Sequence, residues 1–133
     1  MQQLSELYFV SSNTHKFEEV QRILSDFGVD ISLFKTTLEE IQSNDLNDIA
    51  EQKAINAYGI VKKPIIIEDD GLFIDSLNGF PGPYSSYVYD TIGNKGIIRL
   101  LENIEFRDAK FVAIIAYWNG IDDVQIFESS ISG

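Results

Sequence analysis

The stretch Pro64-Ile65-Ile66-Ile67-Glu68-Asp69-Asp70-Gly71 decides the architecture and marks a place for chemistry. Three consecutive β-branched residues are typical of a strand that is buried on both faces and covered by helices. The run then changes abruptly to three carboxylates and a glycine, so the sequence predicts a strand that ends at Ile67. An acidic segment at the mouth of a buried strand is the first feature that needs a physical explanation.

Strand and helix patterns alternate on both sides of this stretch. Short apolar runs rich in strand formers are separated by segments whose apolar residues recur every three or four positions. The predicted elements are strand 7–10, a helix that follows the loop 11–16 and ends at Gly28, strand 31–36, a helix capped by Asn47 or Asp48 and stopped by Pro64, strand 64–67, a constrained loop 78–84, a helix 94–103, and a hairpin of strands 111–118 and 124–131 around Asn119-Gly120. This order predicts a single α/β domain, residues 1–133, with a mixed sheet flanked by helices.

Composition narrows the functions that the chain can have. Its 133 residues include 10 Lys and Arg against 21 Asp and Glu, which gives a net charge of −11. Sequence-independent binding to nucleic acid depends on many cationic side chains, so we expect no nucleic-acid partner. The absence of cysteine excludes thiolate metal sites, and a single histidine excludes a histidine metal cluster.

The N-terminal sequence MQQLSELYFVSSN has no basic region and only a four-residue apolar run, so it does not resemble a signal peptide. No segment approaches the roughly 18 apolar residues of a membrane span. We therefore expect a cytoplasmic protein without a membrane partner.

The loop Ser11-Ser12-Asn13-Thr14-His15-Lys16 lies between the first predicted strand and the first predicted helix. A loop that opens a helix presents backbone N–H groups and the positive end of the helix dipole, and Lys16 adds a formal charge. Such a loop suits a phosphate group, but the same pattern describes an ordinary capping loop with a solvated lysine. It is not a P-loop, because the glycines of that motif are absent.

The acidic run Glu68–Asp70 predicts either a metal site or a turn of solvated acids. Adjacent carboxylates repel one another and raise at least one pKa unless a cation neutralises them. Mg²⁺ prefers oxygen ligands and would also bridge to phosphate oxygens. Glu39 or Glu40 could supply a further carboxylate, and Lys53 on the second predicted helix could face either the same cleft or solvent.

Taken together, these motifs resemble the inosine-triphosphate pyrophosphatase family, which hydrolyses non-standard purine nucleoside triphosphates. Ser11-x-Asn13-x-x-Lys16 is similar to the family's N-terminal Thr/Ser-x-Asn-x-x-Lys loop. The segment 68–86 is similar to the family's central signature, an acidic pair followed by Gly-Leu and then Leu-x-Gly-x-Pro-Gly-x-Tyr-Ser. The resemblance implies an elongated α/β fold with a long mixed sheet, a cleft between two lobes, and a homodimer.

The resemblance also implies a reaction and a set of residues. Water would attack the α-phosphorus of ITP, dITP or XTP and release pyrophosphate and the nucleoside monophosphate. The implied catalytic residues are Asp69, as metal ligand or general base, and Lys16. The residues implied to hold the triphosphate are Ser11, Asn13, Lys16 and Lys53. The implied ligands of Mg²⁺ are Glu40, Glu68 and Asp69.

The matched motifs belong to the N-terminal two thirds or so of the family pattern. That pattern continues through a Gly-Phe-Gly-Tyr/Trp-Asp-Pro segment and a Ser-His-Arg motif that cup the base, and neither occurs in this sequence. Two alternatives therefore accompany the enzyme hypothesis. One is a truncated relative that binds nucleotide or only dimerises, and the other is an unrelated α/β domain with a structural calcium or magnesium site. An uncovered sheet edge at the C-terminal strand would favour an oligomer.

Overall fold

A computed structural model describes residues 7–133 of the chain. Its helices and strands are β1 (Tyr8–Ser11), α1 (Thr14–Ser25), β2 (Ser32–Lys35), α2 (Leu46–Val61), β3 (Ile65–Ile74), β4 (Pro81–Gly82), α3 (Ser85–Thr91), α4 (Gly93–Leu100), β5 (Ala109–Trp118) and β6 (Gln125–Ser132), with a 3₁₀ turn at Asp75–Leu77. Residues 1–6, which belong to the predicted domain and to the segment judged not to be a signal peptide, lie outside the described residues.

The strands form one six-stranded mixed sheet in the order β2-β1-β3-β5-β6, with β4 paired to β3. β1 runs parallel to β2 and β3, whereas β5 is antiparallel to both β3 and β6. The predicted α/β fold with a mixed sheet is confirmed, and so is the C-terminal hairpin.

A helix covers each face of β3. Because side chains alternate across the sheet, the apolar residues of this strand face α2 on one side and α1 on the other. Ile65 and Ile67 belong to a core that includes three small residues of α2, Ala50, Ala54 and Ala57, which allow the helix to approach closely. Ile66 points the other way and packs with Phe9 and the apolar stripe of α1. Each buried isoleucine contributes roughly 2 kcal/mol of transfer free energy. The prediction of a strand buried on both faces is therefore confirmed.

The prediction that this strand ends at Ile67 is wrong, because β3 continues to Ile74. β5 pairs with β3 residue by residue along its whole length, and this ladder satisfies the backbone groups of the acidic segment that point towards β5. The carboxylates of residues 68–70 therefore lie in the middle of a strand and not in a loop at its mouth.

Other boundaries differ in ways that have local causes. Asp45 caps α2 instead of Asn47 or Asp48, because its side chain accepts the N–H of Asn47 at 2.9 Å. Gly28 has a φ of 74° but lies two residues beyond the C-cap of α1, Asp26. α3 is not among the predicted helices, since its segment is rich in aromatic and β-branched residues that favour strands.

A second, smaller apolar cluster packs α3 and α4 against the far end of β3. Its buried members are Ile74, Val88, Ile97 and Leu101. The acidic segment of β3 thus lies between this cluster and the main core. None of the helices within residues 7–133 has the length and apolar character needed to cross a bilayer.

Candidate functional site

The loop between β1 and α1 holds Lys16 in the first turn of the helix. Asn13 is the N-cap of α1, and its Oδ1 accepts the backbone N–H of Lys16 at 3.1 Å. The Oγ of Ser11 accepts the N–H of Asn13 at 3.0 Å, which fixes the loop. Asn13 therefore caps the helix and Ser11 closes the turn before it, and the contact of either side chain with phosphate stays a prediction.

Lys16 reaches across to β3 and pairs with two carboxylates. Its Nζ donates to Oδ2 of Asp70 at 2.9 Å and to Oε2 of Glu68 at 3.3 Å. These acids lie two residues apart and so share the α1 face of the strand. Burial lowers the pKa of Lys16, but its bonds to Asp70 and the charges of both carboxylates more than offset this, and the pKa is raised. Lys16 therefore stays charged.

Lys53 occupies the opposite, α2 face of β3. Its Nζ lies 3.7 Å from Oδ2 of Asp69 and 3.5 Å from Oε2 of Glu40, and it donates to the carbonyl oxygen of Glu68 at 3.3 Å. The side chains of Lys53 and Asp69 are only 13% and 14% exposed. Oδ2 of Asp69 is buried and accepts no hydrogen bond from any residue of the described chain. This oxygen is therefore a buried acceptor whose hydrogen-bonding capacity is unused.

Burial shifts the pKa values of two of the three consecutive acids. It raises the pKa of Glu68 to about 8, helped by the hydrogen bond and charge of Asp70 and opposed by Lys16. Burial also raises the pKa of Asp69 to about 6, against the opposing charge of Lys53. Carboxylates perturbed in this way are concentrated at functional sites, where affinity for a cation or proton is part of the chemistry.

Two cavities adjoin the acidic segment. The first, of about 100 Å³, is lined by Val10, Ser11, Ser12, Thr36, Thr37, Leu38, Glu40, Lys53 and Glu68. The second, of about 280 Å³, is lined by Asp70, Leu72, Pro81, Ser85, Ser86, Tyr89, Asn94, Ile97 and Phe111. Polar side chains at the ends of β1 and β2 thus meet Lys53 and the acidic strand around a single space.

The charged groups suit a divalent ion that binds together with a ligand. Two ammonium groups and four carboxylates form the ion pairs, a net charge of −2 when all are ionised. Within residues 7–133, no three acidic or histidine side chains converge closely enough to hold a metal by themselves. Mg²⁺ at nucleotide sites takes one or two carboxylates and completes its shell with phosphate oxygens and water. The excess negative charge and the unpaired oxygen of Asp69 fit that requirement.

The structure brings the predicted residues together in two groups. Glu40, Lys53 and Asp69 meet on the α2 face, whereas Glu68 meets Lys16 on the α1 face. Asp70 is in contact with Lys16, but the sequence placed it only in the acidic run and gave it no role of its own. The period of two along a strand would have placed it beside Glu68, but the acidic run was predicted to be a loop, where that period has no meaning.

Comparison with known proteins places the chain in a family. The model of the Ham1 family matches residues 7–133. The chain belongs to the Ham1 family. This Ham1 chain is 41% identical over 127 residues to the dITP/XTP pyrophosphatase of Hyperthermus butylicus, a match that covers 96% of the chain and 66% of the relative. It is 43% identical over 129 residues to the dITP/XTP pyrophosphatase of Korarchaeum cryptofilum, a match that covers 96% of the chain and 68% of that relative. The family resemblance seen in the sequence is confirmed.

Solved Ham1 structures have the same fold. A HAM1 protein from Coxiella burnetii superposes with a TM-score of 0.81 at 26% identity, covering 98% of this chain and 72% of that one. The Ham1 protein of Staphylococcus aureus superposes with a TM-score of 0.75 at 24% identity, and the match covers 95% of this chain and 70% of that one. This second likeness supports the fold. The Ham1 chain spans about two thirds of the length of the first relatives that it matches.

Proposed function

We propose that this Ham1 chain binds purine nucleoside triphosphates with non-standard bases, such as ITP, dITP and XTP, and hydrolyses them to the monophosphate and pyrophosphate. The observation that carries the proposal is the meeting of Lys16 and Lys53 with consecutive acids on the two faces of β3. Cations for phosphate and carboxylates for a metal lie side by side. The names of the relatives, matched over 96% of the chain, support the same reaction.

Lys16 and Lys53 are the proposed phosphate ligands. Lys16 lies in the first turn of α1, where the helix dipole also favours an anion. Lys53 lines the cavity of about 100 Å³ together with Ser11. The Oγ of Ser11 accepts the N–H of Asn13, so its hydroxyl proton is oriented away from that bond and can be donated to a phosphate oxygen. Asn13 supports the same contact by fixing the loop.

Asp69 is the proposed acceptor of the proton from the attacking water. Its buried Oδ2 has no hydrogen-bond donor among residues 7–133 and so can receive one from water. As the water oxygen bonds to the α-phosphorus, one water proton passes to Asp69. The bond from the α-phosphorus to the bridging oxygen then breaks, and pyrophosphate leaves with the electron pair. Lys16 and Lys53 stabilise the negative charge that develops on this leaving group.

Magnesium is the proposed metal, and Glu40 and Asp69 supply carboxylates to it from the α2 face. Glu68, the third expected ligand, is held by Lys16 on the α1 face and would reach the same ion only by leaving that ion pair. When bound, Mg²⁺ would offset part of the triphosphate charge and polarise the phosphoryl group. Glu40 and Asp69 already flank Lys53 at 3.5 and 3.7 Å. Their negative charges therefore lie close together without any rearrangement of the backbone.

A homodimer of single α/β domains is the proposed assembly. Among the residues that the structure describes, β6 pairs on one side only, with β5. Phe127 and Ile131 of this edge strand are 57% and 75% exposed. An uncovered edge with apolar side chains favours pairing with another chain. Light scattering after size exclusion measures the mass and tests the dimer directly.

The test of the activity is pyrophosphate release from dITP, ITP and XTP compared with dGTP and ATP, with Mg²⁺ and with EDTA. We expect turnover of the non-standard triphosphates that needs the metal and that Asp69→Asn reduces by about 10³-fold. Asp123→Asn is the matched control, because it removes the same charge from the exposed loop between β5 and β6. Binding without turnover by the folded protein would leave a nucleotide-binding module, and absence of both would refute the proposal.

A further inference from the structure

We propose that Asp70 is a built-in competitor for the phosphate group at Lys16, so that it sets how tightly the site binds phosphate and how strongly that binding depends on the metal. The inference rests on the proposed function only in taking phosphate as the ligand of Lys16. It assigns to Asp70 a role distinct from holding metal or moving a proton.

The geometry at Lys16 is that of an occupied anion site. An ammonium group has three donors, and the Nζ of Lys16 directs two of them at Asp70 and Glu68. The Asp70 contact, at 2.9 Å, is the shortest of the four ion pairs that link the two lysines to β3 and Glu40. A phosphate oxygen that binds Lys16 needs the same donor direction and the same charge.

Charge makes the competition stronger than geometry alone. With Asp70 ionised at 2.9 Å, the charge of Lys16 is already balanced before any phosphate arrives. An incoming phosphate is therefore repelled by the carboxylate of Asp70, which holds the lysine that the phosphate needs. A cation that attracts the carboxylates would free Lys16 and reduce the repulsion together, which couples phosphate binding to metal binding.

Asp70 is better suited to exchange than Glu68. The Asp70 side chain is 28% exposed and adjoins the cavity of about 280 Å³, whereas that of Glu68 is 13% exposed. A carboxylate with solvent and open space beside it can rotate away from Lys16 and be hydrated. Glu68 has less access to water, so breaking its ion pair with Lys16 would cost more free energy.

The experiment is calorimetric titration of the whole chain with inorganic pyrophosphate, in EDTA and again with Mg²⁺. Asp70→Asn keeps the shape of the side chain and removes the competing charge, so we expect pyrophosphate to bind about tenfold more tightly in EDTA, with a smaller gain in Mg²⁺. Asp123→Asn, with the same change in net charge at the exposed loop, leaves the affinity unchanged. Asp70→Ser provides a second variant in case the first does not fold.

A double variant separates competition from a general change in charge or structure. If Asp70 acts through Lys16, the gain disappears when Asp70→Asn is combined with Lys16→Met. A gain no larger than that of Asp123→Asn, or one that survives Lys16→Met, would overturn the inference. Absence of dITP turnover in Mg²⁺ would count against the proposed function alone, because the titration uses no nucleotide and no catalysis.

Discussion

The two faces of β3 hold their lysines in different ways. On the α1 face, the Nζ of Lys16 lies 2.9 Å from Asp70 and 3.3 Å from Glu68, and the lysine side chain is 29% exposed. On the α2 face, the Nζ of Lys53 lies 3.7 Å from Asp69, and its side chain is 13% exposed. The more open face has the closer ion pairs, and the more buried face has the looser ones.

This difference indicates which charges are structural and which are available to a ligand. A buried ion needs compensation, so loss of the partner of Lys53 or Asp69 leaves an uncompensated charge in the interior. A partly exposed pair has water as an alternative partner and contributes little to stability. We infer that the α2 face combines stability with catalysis, whereas the α1 face exchanges partners when phosphate binds.

The largest expected effect is on turnover. Asp69→Asn removes the proposed proton acceptor while preserving the size of the side chain, and we expect kcat for dITP to fall by about 10³-fold. Glu68→Gln should reduce kcat by less, since its carboxylate faces Lys16. Steady-state pyrophosphate release at saturating Mg²⁺ measures both. Equal losses in the two variants would mean that the faces of β3 do not divide the chemistry as proposed.

The next largest expected effect is on the free energy of unfolding, and it concerns the ion pairs on the α2 face of β3. Lys53→Met leaves Asp69 without its cation, and we expect the free energy of unfolding to fall by about 3 kcal/mol in urea titrations. Lys95→Met, at an exposed position of α4, is the control. The combination of Lys53→Met with Asp69→Asn should recover part of the loss, because no buried charge then remains. Strictly additive losses would contradict this explanation.

A dependence on pH follows from the raised pKa of Glu68. Its folded-state pKa is about 8 against an ordinary value of 4.5, so the folded protein binds a proton that the unfolded chain releases. This contribution to stability is complete below the unfolded pKa and is lost as the pH rises through the folded pKa.

In EDTA, we therefore expect the free energy of unfolding to fall by about 2 kcal/mol between pH 6 and pH 9. Glu68→Gln should flatten that slope, because its side chain does not titrate. Urea unfolding of both proteins at several pH values is the measurement. Parallel slopes for the two proteins would exclude Glu68 as the titrating group.

The smallest effect on stability belongs to the open face. Lys16→Met removes a partly exposed cation, so we expect less than about 1 kcal/mol of destabilisation. Its effect on ligand binding is larger, about a tenfold loss of affinity for pyrophosphate in Mg²⁺. Urea unfolding and calorimetry on one preparation compare the two. A destabilisation as large as that of Lys53→Met would remove the distinction between the faces.

Local sequence patterns were enough to predict much of the fold and many residues of the candidate site. The period of α1, the β-branched run at Ile65–Ile67 and the turn at Asn119-Gly120 each encode an element through residues close together in the chain. Ser11-x-Asn13-x-x-Lys16 and the acidic run could be recognised for the same reason. A motif whose residues are neighbours in sequence can be recognised without knowing which segments pack around it.

Tertiary structure decided how the acidic residues are used. β5, which begins at Ala109, pairs with β3 throughout and converts the expected loop into strand, and only then does alternation send Asp69 to one face and Glu68 and Asp70 to the other. No local pattern contains that partner. The contact between Asp70 and Lys16 has the same origin, because it joins residues 54 positions apart in the chain. The sequence alone determined which chemical groups and elements are present, whereas long-range strand pairing determined which of those groups meet.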